Sequence, residues 1–147
     1  VIRVGVVKGE AEPFLVTSGV KPAACGPERA TVMQPASPTL DNHVGVRHAS
    51  ALHAAGYAAA RALAAAAVAT VDADAELSLQ SSEISYKSMG LGALETIAEP
   101  AGDDWGAKIE QLRRGDPVAL RCAVTTRNEQ GRNVAELTVD WLAAPRG

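Results

Sequence analysis

Apolar positions change their period along this chain, and each change predicts an element. From Ala49 to Ala69 they run almost unbroken in small side chains, with 13 alanines in 21 residues. Alanine is the strongest helix former and Gly56 the only breaker inside, so the stretch predicts one long helix. At 100° per residue, Ser50, His53, Tyr57 and Arg61 share one stripe, while Leu52, Gly56, Ala59, Leu63 and Ala66 lie opposite. Small side chains on that apolar side let a second layer of backbone approach closely, as a curved sheet wrapped round the helix requires.

Beyond the helix the period falls to two. Ala75 to Lys87 reads as a long strand whose alternation slips, because Leu77 and Leu79 share one parity and Ile84 and Tyr86 the other. A bulge near Ser81 and Ser82 reconciles the halves and re-aims Glu83. Ser88 to Gly92 turns, and Ala93 to Glu99 forms the next strand. Trp105, Ile109 and Leu112, at spacings of four and three, predict a short helix capped by Asp103 or Asp104 and ended by Gly115. Val118 to Thr126 and Val134 to Leu142 then alternate around Asn128-Glu129-Gln130-Gly131. This predicts a hairpin with Gly131 in the left-handed position and Leu137, Val139 and Trp141 facing inward. Ahead of the helix the pattern is weaker. Arg29 to Gln34 alternates, but Pro27 and Pro35 hold it to an edge or to short length. The reading is an arm or short strand over residues 1–19 and a single domain over 20–147. Its class is α+β, one central helix on an antiparallel sheet of about five to six strands.

Composition sharpens this. Hydrophobic residues make up 47% of the 147 but aromatics only 3%, so Ala, Val, Leu and Ile must build the core. Small side chains each bury little area, at ~25 cal/mol per Å2, and such a core gains from a second subunit. The net charge of −3 comes without charge runs, which argues against nucleic-acid binding. Cys25 and Cys122 form no Cys-x-x-Cys pair and read as buried or half-buried thiols in a reducing cytosol. The segment VIRVGVVKGEAEPF is too short and too interrupted by charge for a signal peptide, and the one long apolar run carries Arg61. A soluble, cytoplasmic protein without a membrane partner is expected. The histidines stand at 43, 48 and 53, and the spacing of the last two puts them on different helix faces, so no metal or other cofactor is expected. No Gly-x-Ser-x-Gly elbow is present for a serine nucleophile.

Asn42-x-x-Gly45-x-x-His48-Ala49-Ser50-x-Leu52 resembles the Asn-x-x-Gly-x-x-His-Gly-Gly-x-Leu signature of small hotdog-fold acyl-CoA thioesterases of the phenylacetate-pathway type. Ile84 to Gly90 resembles that family's strand ending in a Tyr/Phe-Leu-Arg/Lys-Pro turn, and Asn128 to Trp141 its closing hairpin. The resemblance implies a hotdog fold and a homodimer or dimer of dimers, with sites at the dimer interface. The substrate it implies is an acyl-CoA or acyl-carrier-protein thioester, its carbonyl resting on the amides of Ala49 and Ser50. Helix physics agrees, since free N–H groups and the positive end of the macrodipole stabilise an oxyanion. The family's catalytic carboxylate falls on Tyr57, and a tyrosine is no ordinary base at neutral pH. Glu83 aligns with a polar strand residue of the family's site.

The expected site is therefore Glu83, Tyr57 and Asn42 for chemistry, with His48, Ala49, Ser50, Gly45 and Arg61 around the substrate. Asn42 reads equally as an Asx turn, Tyr57 as an interface residue, and Arg61 as a salt-bridge partner or a contact for a carboxylate or a coenzyme A phosphate. Two functions remain open: a thioester hydrolase with water as nucleophile, or a non-catalytic acyl-ligand binder that lost its carboxylate at position 57.

Overall fold

The computed structural model describes residues 2–6, 12–72, 74–102 and 104–146. Part of the expected arm (residues 1 and 7–11) and the capping role offered to Asp103 lie outside the described residues. In chain order the elements are β1 (Ile2–Val6), α1 (Pro13–Thr17), β2 (Lys21–Cys25), β3 (Ala30–Gln34), α2 (Ala49–Ala69), β4 (Glu76–Tyr86), β5 (Leu94–Ala101), α3 (Trp105–Arg113), β6 (Val118–Arg127) and β7 (Asn133–Ala144).

The strands form one seven-stranded sheet in the order β1-β4-β7-β6-β5-β3-β2, every neighbouring pair antiparallel. It wraps α2, which packs on β3, β5, β6 and β7. The strand absent from the sequence reading is β2. All five of its residues, Pro22 and Cys25 among them, are exposed, so it has no buried face to impose alternation, and its proline is tolerated at an edge. β3 is consequently short but not an edge. Cys25 is correspondingly exposed, whereas Cys122 is fully buried and burial pushes its thiol up to about 12.

The alanines serve close approach. Ala59, Ala60, Leu63 and Ala64 have no exposed surface and share one cluster with Leu120, Val139 and Trp141. Gly56 is the tightest point: a Cβ built there would stand 2.4 Å from Leu137 Cδ2. By length and composition α2 could cross a membrane, but 67% of its apolar window is buried inside the fold, as befits a core helix. On β7, Leu137, Val139 and Trp141 are all buried, and Gly131 turns the hairpin at φ +78°. Asp104 caps α3 by accepting from the amides of Gly106 and Ala107 at 2.8 and 3.4 Å.

Two features of β4 position the site. Its bulge falls between Leu79 and Ser81, one residue earlier than expected. Ser82, Ile84 and Tyr86 therefore turn toward α2, and Glu83 and Ser85 to the outer face. The second feature is its margin. β1 pairs only with Glu76 to Leu79, so beyond Leu79 the outer edge of β4 has no strand partner among the described residues.

Gly56→Ala tests the close approach. The added methyl gains about 1 kcal/mol of helix propensity but forces Leu137 out of its place, at about 1–3 kcal/mol. A net loss in denaturant-unfolding free energy is expected, and Leu137→Val should relieve it in the double variant.

Candidate active site

The loop before α2 is built to place a helix end. Asn42 Oδ1 accepts from the amides of Val44 and Val46 at 3.0 and 3.3 Å, and Gly45 completes the turn at φ +80°. Asp41 and Arg47 form a backbone bridge, the Arg47 amide donates to Gly90 O at 2.8 Å, and the His48 amide to Leu40 O at 2.8 Å. Beneath this loop the Arg47 side chain is buried, 3% of the residue remaining exposed. It donates to Gln34 Oε1 at 2.5 Å, to Pro35 O at 3.2 Å and to Gly92 O at 2.6 Å. Gln34, itself buried, donates to Ser18 O and to Ala51 O in the first turn of α2. Burial pulls the Arg47 pKa below its ordinary value while Asp41, 3.7 Å from Nε, opposes the shift.

His48 is the N-cap of α2, its backbone extended at φ −62°, ψ 140°, and its Nδ1 accepts from the Ser50 amide at 3.0 Å. The amides of Ala51 and Leu52 donate to His48 O. Of the two amides expected to bind a carbonyl, Ser50's is thus occupied, while Ala49's has no acceptor among the described residues.

Beside this end of α2 opens a cleft of about 530 Å3, bordered by Ala49, Ser50, His53 and Tyr57 on the helix, by Leu79 and Tyr86 on β4, and by Glu12 at the start of α1 and Phe14 within it. Tyr57 packs against Trp141 with ring centroids 5.7 Å apart. Its hydroxyl meets the Glu12 carboxylate at 3.0 and 3.2 Å, and Glu12 Oε1 lies 2.6 Å from Arg61 Nε, whose N–H is not aligned on it. Burial first, then the hydrogen bond to Glu12 and its charge, push the Tyr57 pKa well above the usual phenol range, against the pull of Arg61. Tyr57 is therefore a standing donor. Higher in the cleft, His53 Nε2 and Ser82 Oγ are 2.6 Å apart. Among the described residues no group of three or more His, Cys, Asp or Glu is placed to hold a metal ion.

Ala49, Ser50 and Tyr57 thus meet at one cleft, and Arg61 joins them through Glu12. Glu83 does not. It lies on the opposite face of the sheet with Ser85, Thr125, Glu136 and Thr138, because the bulge shifts the parity of β4 by one. Asn42 and Gly45 serve the turn and His48 the cap. The sequence reading missed Glu12, which sits in an unpatterned segment, and Arg47, a single charge within the loop before α2. His53 was on the right stripe, but only the structure supplies its partner Ser82.

The fold has relatives. The family described as Domain of unknown function (DUF4442) matches residues 5–143. The chain belongs to this family. DUF4442 is of hotdog type, and so are the thioesterases among its structural neighbours. Rv1847/MT1895 of Mycobacterium tuberculosis superposes with a TM-score of 0.77 at 19% identity, over 92% of this chain and 99% of that one. Thioesterase HI1161 of Haemophilus influenzae gives 0.74 at 10% identity, over 92% and 85%. PaaI of Escherichia coli, from the phenylacetic acid degradation operon, gives 0.66 at 13% identity, over 86% and 84%. At these identities the likeness establishes the fold. No curated protein matches the chain by sequence.

Two measurements probe the site's scaffold. Arg47→Met strands the buried Gln34 acceptor and two part-buried carbonyls and should lower the unfolding free energy by about 1–3 kcal/mol, read from the denaturant midpoint. Tyr57 has a folded pKa above its unfolded 10.0, so its stabilising effect is complete below pH ~10 and fades as pH rises toward the folded value. Wild type should therefore lose more stability than Tyr57→Phe between pH 9 and 11. The difference should stay below ~1 kcal/mol for a half-buried, solvent-screened group.

Proposed function

We propose that this DUF4442 protein hydrolyses acyl thioesters, carried on coenzyme A or an acyl-carrier protein, in the cytoplasm. The observation that carries this is the Ala49 amide, without an acceptor among the described residues, on a helix end that borders a largely aromatic and aliphatic cleft. A thioester carbonyl seated there receives an N–H hydrogen bond and the positive end of the α2 dipole, both of which strengthen as water adds and charge develops on oxygen. The acyl chain lies along Phe14, Leu79 and Tyr86.

We further propose that two copies complete the site. The free outer edge of β4 beyond Leu79 exposes backbone donors and acceptors that a second β4 satisfies in antiparallel pairing. Ala49 and Tyr57 are eight residues apart on α2, about 12 Å of rise, which is long for one reacting carbon to span. A two-fold axis across β4 runs the two copies of α2 in opposite directions and brings the amino end of one toward Tyr57 of the other. The second reading, a non-catalytic acyl binder, draws on Tyr57, which stays protonated where a base is needed.

A panel of short, long and aryl acyl-CoA esters, with thiol release followed, separates the two, and turnover above a buffer blank is expected. Ala49→Pro then tests the amide. Proline is tolerated at the first helical position, and His48 already has the extended backbone it requires. The fold should survive while kcat falls about 10²–10³-fold. An unchanged kcat would remove the amide from the mechanism.

A further inference from the structure

We propose that Glu12, delivered by the segment ahead of α1, is the base that activates the attacking water in this cleft. The assignment rests on the thioesterase reading above and adds to it the group that performs the proton transfer.

Water adding to a polarised thioester must lose a proton to an acceptor in the same cleft. Glu12 is the only carboxylate among the described residues bordering it. Glu83 faces the other side of the sheet. The carboxylate is half-buried, its side chain 32% exposed, so water still reaches it. It is also held. The Tyr57 hydroxyl donates its single proton between the two oxygens, at 3.0 and 3.2 Å, while Arg61 stands 2.6 Å from Oε1. A carboxylate offers about four lone-pair sites, and these two neighbours leave room on Oε2 for a water. Tyr57 rests on the fully buried Trp141, so the partner that aims Glu12 is anchored in the core, whereas Glu12 arrives from a segment with few constraints of its own.

The step balances without a further reactant. Water oxygen bonds to the carbonyl carbon, one water proton passes to Glu12 Oε2 of one copy, and the carbonyl pair moves to an oxyanion on the Ala49 N–H of the other copy, which the two-fold pairing brings together. When the oxyanion collapses, the carbon–sulfur bond breaks and the thiolate takes the proton back from Glu12. Free thiol, free acid and the starting carboxylate result. Tyr57 and Arg61 are positioning residues in this scheme, since each acts through Glu12.

The test compares wild type, Glu12→Gln and the double variant Glu12→Gln/Tyr57→Asp on the ester with the fastest turnover, recording kcat, KM, the pH profile and the unfolding midpoint. General-base catalysis contributes about 10²–10⁴-fold. Glu12→Gln should lose that much kcat with KM within about threefold, an unchanged midpoint and no acid limb in kcat against pH. Tyr57→Asp, which puts a carboxylate back on the cleft wall, should recover at least about tenfold in the Glu12→Gln background. If wild type turns over and Glu12→Gln keeps kcat within about threefold, this assignment is overturned and the thioesterase reading stands. Intact-mass detection of an acyl group on Ser82, made nucleophilic by His53, would also overturn it, since water would then not be the first attacker. A wild type inert to the whole ester panel overturns both.

Discussion

The buried guanidinium of Arg47 determines where the amino end of α2 comes to rest. A charge taken out of water is costly unless its donors find acceptors, and here those acceptors sit on two separate stretches: Gln34 and Pro35 at the end of β3, and Gly92 ahead of β5. Gln34 extends the junction to Ser18 and to the first turn of the helix. The loop carrying Asn42 and Gly45 is therefore a shaped lid over one polar knot, not a tether. Everything the cleft offers, from the Ala49 amide to the stripe of Ser50, His53 and Tyr57, inherits its position from that knot.

A second constraint is the smallness of the helix surface. With no side chain at Gly56 and methyl groups along most of one face, the sheet can close on α2 until Leu137 occupies the space a Cβ would need. Closure on that side leaves the stripe of Ser50, His53 and Tyr57 only partly covered, with Ser82 on β4 and Trp141 on β7 touching it. That stripe borders the cleft, and its floor is completed by β4 and by the segment before α1. Tight packing on one face and a functional opening on the other are thus one arrangement seen from two sides.

Legibility in the sequence followed the strength of the local pattern. The helix and the β6–β7 hairpin were readable because each has a sustained period and a distinct stop, Gly131 being the clearest. β2 was not, since a strand exposed along its length has no alternation to show. In the site, the bulge at Gln80 decides the outcome: it brings Ser82, Ile84 and Tyr86 to the helix side, where unbroken alternation from Leu79 would have put Glu83. The paired amides became one because His48 uses its ring as a cap, a conformational choice that residue identity alone leaves open. Glu12 and Arg47 act through partners 45 residues away, and no local pattern reports contacts of that separation.

The segment bearing Glu12 has a further consequence. α1 has no fully buried residue, and the wall it forms is secured by Leu15 against the core and by the polar contacts of Glu12 and Ser18 with α2 and β3. Regions so lightly anchored open locally at a small fraction of the global unfolding free energy. On the proposed thioesterase reading, a bulky acyl chain would enter by transient detachment of this wall while the wrapped core stays intact. On that reading, the same excursion that admits the guest would withdraw the carboxylate, separating loading from chemistry in time.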